Sequence, residues 1–375
     1  MIEKNARYYL KKILLFVLTF VSTTLAGSEW VTNKIIFYSP DYSWADFTAG
    51  FSYSIPFLFI LGVHEFGHYF TAKYYKVEVT LPNFLPGWLG FLGMPSFGTF
   101  GALIRIVGPI RSRKQYFDIG IAGPLAGFVV ALGVLWYGFS TLPPQEYIYE
   151  IHPEYEQYGA DYADYVYNDP EQQSFAMGNT ILFWLFEEYL ADPERLPDHR
   201  EIIHYPLLLA GFLSLFFTAL NLLPIGQLDG GHIIYGIFGT KKHKRIATVL
   251  FLLLAYTAGL GLITIQTPLE SMIWMSILYV GFLFICFRGL KLSQTNTLLL
   301  AVSVFALQYL TSLVITDLSG FGGYFLFIFL LGRVIGVEHP RAADNTPLSL
   351  GRKVLGWIAL LIFVISFSPN PFVIS

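Results

Sequence analysis

The sequence predicts an all-α polytopic membrane protein, and three observations carry that expectation. Of its 375 residues, 54% are hydrophobic and only 13% charged, about half the charged share of an ordinary soluble domain. Mean hydropathy is +0.55. Apolar segments of bilayer-crossing length, about 20 residues each, fall near 10–29, 47–72, 117–140, 205–223, 246–265, 271–288, 296–316 and 354–370. A ninth near 322–336 is shorter, so about 8–9 transmembrane segments are expected. With a cytoplasmic N-terminus and all nine crossing, 20 of the 23 Lys and Arg residues lie on the cytoplasmic side, and only Lys34, Arg195 and Arg200 lie outside. Such asymmetry over short loops is what orients membrane proteins.

The first segment follows Lys4, Arg7, Lys11 and Lys12 and ends in TTLAGS. That ending is like a signal peptide's, and the expectation is an uncleaved first span. Residues 1–46 then form an N-terminal span with an exported loop. The one sizeable exported stretch is 141–203, where 14 acidic residues face only Arg195 and Arg200. It reads as a solvated loop or small helical cap; the alternative is an acidic gate that favours basic partners. Within it, 175–190 (FAMGNTILFWLFEEYL) reads as an amphipathic helix on the membrane surface. Residues 246–375 form a multi-span extension. The lone Cys286 excludes an intramolecular disulfide framework and a cysteine zinc site. No nucleic-acid partner is expected, and the oligomeric state is left open.

The segment 47–72 carries His64-Glu65-Phe66-Gly67-His68. Ionisable groups are costly at membrane depth and mark function there. On a helix, residues four apart share a face, so both imidazoles can ligate one metal, with Glu65 on the flank as a base. A catalytic zinc takes three protein ligands and keeps one position open. Few acids interrupt the apolar segments, which leaves Asp229 as the third ligand, in Asn221-Leu222-Leu223-Pro224-Ile225-Gly226-Gln227-Leu228-Asp229-Gly230-Gly231-His232. Pro224 and the glycines break the helix that enters from 205, and broken helices at membrane depth line cavities or lie within protein. An N-cap role for Asp229 is the plainer alternative and is compatible with ligation. His232 is rejected as a fourth ligand, because the open position must survive, and is expected to cap on the cytoplasmic side.

H-E-F-G-H on one span and N-x-x-P-x-x-x-L-D-G on a later one resemble the site-2 protease family of intramembrane zinc metalloproteases. The stretches 98–114 and 117–128 resemble that family's re-entrant β-hairpin and its span of small residues. The resemblance covers about 47–245, and the long C-terminal part resembles the bacterial and chloroplast branch without PDZ domains. It implies a three-helix catalytic core (47–72, 117–140, 205–223) within 47–245, Zn2+ on His64, His68 and Asp229, and Glu65 as the base. It further implies substrate contacts from Asn221 and from the hairpin residues Gly98, Thr99, Phe100 and Gly101. For Asn221 an interhelical hydrogen bond is the alternative, and for the hairpin a cytoplasmic turn. Single-span membrane proteins in a lipid bilayer would be the substrates, and a bacterial cell membrane is the expected location. A metal-ion transporter would have no need of Glu65 and would show symmetric broken helices; an inactive scaffold would have lost one of the four site residues.

Overall fold

The computed structural model describes residues 5–167, 175–316 and 318–374. Helix α1 (Ala6–Thr32) starts where the Asn5 side chain accepts from the Tyr8 amide. Its 27 residues run about 40 Å at 1.5 Å per residue, more than a bilayer's hydrocarbon core. The short α2 (Trp44–Ala49) leads into α3 (Phe51–Tyr74), which carries the histidine motif. Strands β1 (Asn83–Gly87) and β2 (Gly98–Leu103) form an antiparallel hairpin, with Phe84 opposite Ala102 and Gly87 opposite Gly98. Ser112 and Gln115 then form a reciprocal capping box that starts α4 (Arg113–Ser140).

The acidic stretch 141–203 holds α5 (Tyr147–Ile151), α6 (Tyr162–Val166), β3 (Phe175–Met177) and α7 (Ile181–Tyr189). Pro206 at the first turn opens α8 (Pro206–Leu222). After a break, α9 (Asp229–Ala258) runs on with a kink at Gly239, whose φ is +74°. The extension adds α10 (Leu269–Phe287), α11 (Gln294–Val314), α12 (Tyr324–Leu330), α13 (Leu350–Ser366) and β4 (Phe372–Ile374).

The chain is therefore mostly helical, with two small two-stranded sheets among the described residues. Among the described residues, five helical segments are long and apolar enough to cross a membrane: Ala6–Thr32, Trp44–Tyr74, Arg113–Ser140, Leu269–Leu290 and Gln294–Val314. Pro206–Leu222 and Tyr324–Ile335 are apolar but shorter. Composition and these helices make this an integral membrane protein.

Helices α3, α4 and α8 pack on one another around a single core that includes Phe57, Phe117, Phe128, Leu135, Phe183 and Phe212. The amphipathic stretch 175–190 does more than lie on a surface. Phe183 of α7 is fully buried against Phe139 and Phe212, and β3 pairs with β4 from the chain's far end. That long-range pairing has no sequence signature, because both strands are three residues long.

Close packing of α3 on α4 depends on missing side chains. A Cβ at Gly67 would stand 2.7 Å from the Ala122 carbonyl oxygen, which is backbone and cannot step aside. Overpacking of this kind costs about 1–3 kcal/mol. A Gly67→Ala variant is expected to melt several degrees below wild type in detergent; equal melting would mean that the helices separate freely.

Candidate metal centre

Three side chains from two distant segments meet at one point. His64 and His68 project from the same face of α3, and Asp229 is the first residue of α9. The His64 and His68 Nε2 atoms are 3.1 Å apart, and Asp229 Oδ2 lies 3.5 and 3.3 Å from them. Both rings are buried, as is Glu65 between them in sequence. A cavity of about 730 Å³ opens onto the cluster, and its wall includes Glu65, Asn221, His232 and residues 102–106.

The protonation pattern follows from the partners. His68 Nδ1 is 2.7 Å from the Ile119 carbonyl oxygen, which can only accept, so Nδ1 carries the proton and the Nε2 of the neutral ring presents a lone pair. That lone pair points at another imidazole nitrogen and a carboxylate oxygen. Buried acceptors packed together need a cation, or at the least a proton, between them. The donor set of two imidazole nitrogens and one carboxylate fits zinc, and the cavity borders all three residues. Anchoring of the second ring nitrogen to a carbonyl is also how metal-binding histidines are commonly oriented.

The break between α8 and α9 lets Asp229 reach the histidines. Leu223 caps the end of α8, and Gly226 turns the chain with φ +59°. One freed backbone group is satisfied by the C-terminal extension, the Gly226 amide donating to the Val337 carbonyl at 3.1 Å, and the Gln227 side chain adds a bond to the Ile335 carbonyl. Leu228 occupies the N-cap of α9 and makes no side-chain cap bond, so Asp229 is not the cap. It sits in the first helical turn, where the helix dipole favours a carboxylate.

Not every expected site residue comes to this point. Asn221 lines the cavity, but Gly98, Thr99, Phe100 and Gly101 do not. The Gly98 carbonyl accepts from Ser22 of α1, Thr99 Oγ1 donates to the Leu85 carbonyl within the hairpin, and Phe100 is 68% exposed. The hairpin's later residues, Ala102 to Ile106, face the cavity instead. His232 also lines it, outside the converging trio. Its Nδ1 lies 2.6 Å from His339 Nε2 and its ring stacks on Tyr116, so it is tied to the extension rather than capping a helix.

Reading the sequence missed Gly123 and Gly127 of α4. A Cβ at Gly123 would overlap the His68 imidazole, and one at Gly127 would stand 3.0 Å from the His64 Cβ. The signal was present as the spacing Gly120, Gly123, Gly127, one helical face of small residues. Only the tertiary packing says that this face receives the histidines.

Helices of membrane-crossing length around a His–His–Asp cluster whose imidazoles are buried define the class, an integral membrane protein with a candidate metal centre. The chain belongs to peptidase family M50, which it matches over residues 52–263, a range that holds both halves of the cluster. Among its relatives, "Probable zinc metalloprotease EGY2, chloroplastic" of Oryza sativa subsp. indica is 31% identical over 53% of this chain and 31% of its own length. "Probable zinc metalloprotease EGY1, chloroplastic" of Arabidopsis thaliana is 28% identical over 70% of this chain and 44% of its own. "Probable zinc metallopeptidase EGY3, chloroplastic" of the same plant is 27% identical over 68% and 39%. The chain thus spans about a third to under half the length of these curated relatives. No solved structure matches it. Zinc, the metal in the relatives' names, is the metal that the donor set fits.

A methyl group at Gly123 should displace the His68 ring while leaving the helices intact. Gly123→Ala is expected to weaken zinc binding by about 10–100-fold, the range for disturbed ligand orientation. Chelator competition with an unchanged far-ultraviolet circular dichroism spectrum checks this; wild-type affinity would refute the packing argument.

Proposed function

We propose that the chain is an intramembrane zinc endopeptidase that hydrolyses peptide bonds in or near the transmembrane segments of membrane proteins. One observation carries the reading: a buried carboxylate, Glu65, borders the same cavity as the lone pairs of His64, His68 and Asp229. These three would hold the zinc, which when bound supplies Lewis-acid polarisation of the scissile carbonyl. Among the described residues, Glu65 and Asp229 are the only carboxylates on the cavity wall. With Asp229 used as a ligand, Glu65 is left to take the proton of the attacking water and pass it to the departing amine nitrogen. Asn221 would donate to the substrate backbone or to the developing oxyanion.

A transmembrane helix must unwind before attack, because its carbonyls are bonded and shielded. Residues 102–106, at the end of a hairpin of only two strands, support capture of the unwound stretch by strand addition. In this reading the hairpin is re-entrant, and Gly98–Gly101 shape it against α1 more than they touch substrate. An apolar groove of about 590 Å³ between α1 and α3, lined by Phe16, Phe20, Phe59 and Phe66 among others, supports entry of single-span substrates from the lipid.

The same reading keeps three parts: 1–46, the protease core 47–245 and the extension 246–375. It keeps 8–9 crossings with a cytoplasmic N-terminus. Helix α13 supports a crossing, since Arg352 near its start pairs with Asp118 of α4 while Phe372 beyond its end stacks on Phe175 of the exported stretch. A bacterial cell membrane rests on the sequence alone, the relatives named above being chloroplastic. Tag accessibility at residues 1 and 160 in sealed vesicles tests the orientation.

Wild type and Glu65→Gln should hold the same zinc, while cleavage of a panel of single-span substrates in detergent falls by about 10²–10⁴-fold in the variant, the usual worth of a general base. Equal cleavage by both would remove Glu65 from the chemistry.

A further inference from the structure

A second cluster of metal-ligating side chains lies at the exported end, in a part of the chain that the first site does not use. His152 follows α5, and its ring stacks face to face on Tyr155 with centroids 4.6 Å apart. Glu201 and His204 flank and end the 3₁₀ turn Ile202–His204 that leads into α8. The Nε2 atoms of His152 and His204 are 3.2 Å apart. Glu201 Oε2 lies 3.7 Å from His204 Nε2 and 3.9 Å from His152 Nε2. Glu201 is 1% exposed and His204 5%.

The hydrogen-bond partners set the tautomers here as they do at the first site. His204 Nδ1 is held by the Trp30 carbonyl oxygen at the end of α1, which can only accept. Nδ1 therefore carries the proton, and Nε2 of the neutral ring is a lone pair. His152 Nδ1 faces Glu154 Oε1 at 3.3 Å, which sets the same tautomer. The Tyr167 hydroxyl donates to Glu201 Oε1 and so leaves Oε2 for the cluster. The neighbouring cation, Arg200, is stacked over the Tyr167 ring and paired with Asp198. Three acceptor atoms thus converge, each oriented by an outer partner, as in sites that bind metal. A cavity of about 330 Å³ adjoins them and leaves room for a further ligand.

We propose that His152, Glu201 and His204 bind a second divalent transition-metal ion, zinc by donor set, and that this ion fastens the exported cap to the helical core. The two imidazoles are 52 residues apart in sequence. One belongs to the acidic cap and the other to the entrance of α8, with α1 joined through the Trp30 carbonyl. Ligation of one ion by both closes that loop, and the folding of the cap becomes coupled to metal binding.

The test uses the full chain in detergent, loaded with zinc, desalted and analysed for metal. Two zinc ions per chain are expected in wild type and one each in His64→Ala/His68→Ala and His152→Ala/His204→Ala. One in wild type and none in His64→Ala/His68→Ala would overturn the proposal and leave a shared proton between the imidazoles. Should the exported-side variant fail to fold, Co2+ added to His64→Ala/His68→Ala reads the site directly. A visible ligand-field band titrating to one equivalent and displaced by zinc is expected; no band sinks the site. Tyr167→Phe, which keeps all three ligands, is expected to weaken metal binding by about 10–100-fold. Chelation of His64→Ala/His68→Ala should speed limited proteolysis within 141–200. An unchanged digestion rate would overturn the fastening role.

Discussion

Lone pairs packed together in the interior of a protein must be matched by a cation or a proton, and that cost shapes the centre of this molecule. The Nε2 atoms of His64 and His68 and a carboxylate oxygen of Asp229 lie within a few ångströms of one another where α3, α4 and α9 meet. Holding them there requires two things of the backbone. Helix α4 must approach α3 closely, which the bare faces of Gly67, Gly123 and Gly127 permit. The chain between α8 and α9 must also turn sharply inside the protein, which Pro224 and Gly226 permit. The same two devices, small residues at a helix contact and a satisfied break, are how membrane proteins in general bring polar groups inward.

The C-terminal extension takes part in that centre. Its segment 335–337 accepts hydrogen bonds from the Gly226 amide, which the break leaves without a helical partner, and from the Gln227 side chain. His339 lies against His232, and Asn345 accepts from the hydroxyl of Tyr235 in α9. Further along, the Asp344 carbonyl accepts from the Arg113 amide at the start of α4, and Arg352 forms a two-point ion pair with Asp118. A break in a helix within a membrane is tolerable only with such partners, so the extension is part of what makes the position of Asp229 possible.

At the opposite end, the acidic stretch is tied down by contacts distant in sequence. Strand β3 pairs with β4 some 200 residues later, and aromatic rings from both stack with Phe97 and Trp30. The high negative charge predicted a solvated piece, and it did so correctly for Glu154, whose side chain is 63% exposed. It did not foresee that Glu201, in the same stretch, is buried among imidazoles and a tyrosine hydroxyl.

What the sequence by itself determined is what short-range chemistry can encode. Apolar length and the placement of lysine and arginine specify a helical membrane protein, because each span meets the bilayer largely on its own terms. The i, i+4 spacing of His64 and His68 puts both rings on one face through helix geometry alone. Scarcity of acids in apolar segments singled out Asp229, whose carboxylate does meet those rings. Tertiary structure decided the rest: that residues 102–106 rather than 98–101 border the cavity, that the extension closes the helix break, and that His152 meets His204. Each depends on which surfaces touch across tens to hundreds of residues. Such contacts are selected by packing and by the need to satisfy buried polar groups, and neither leaves a local periodicity to read.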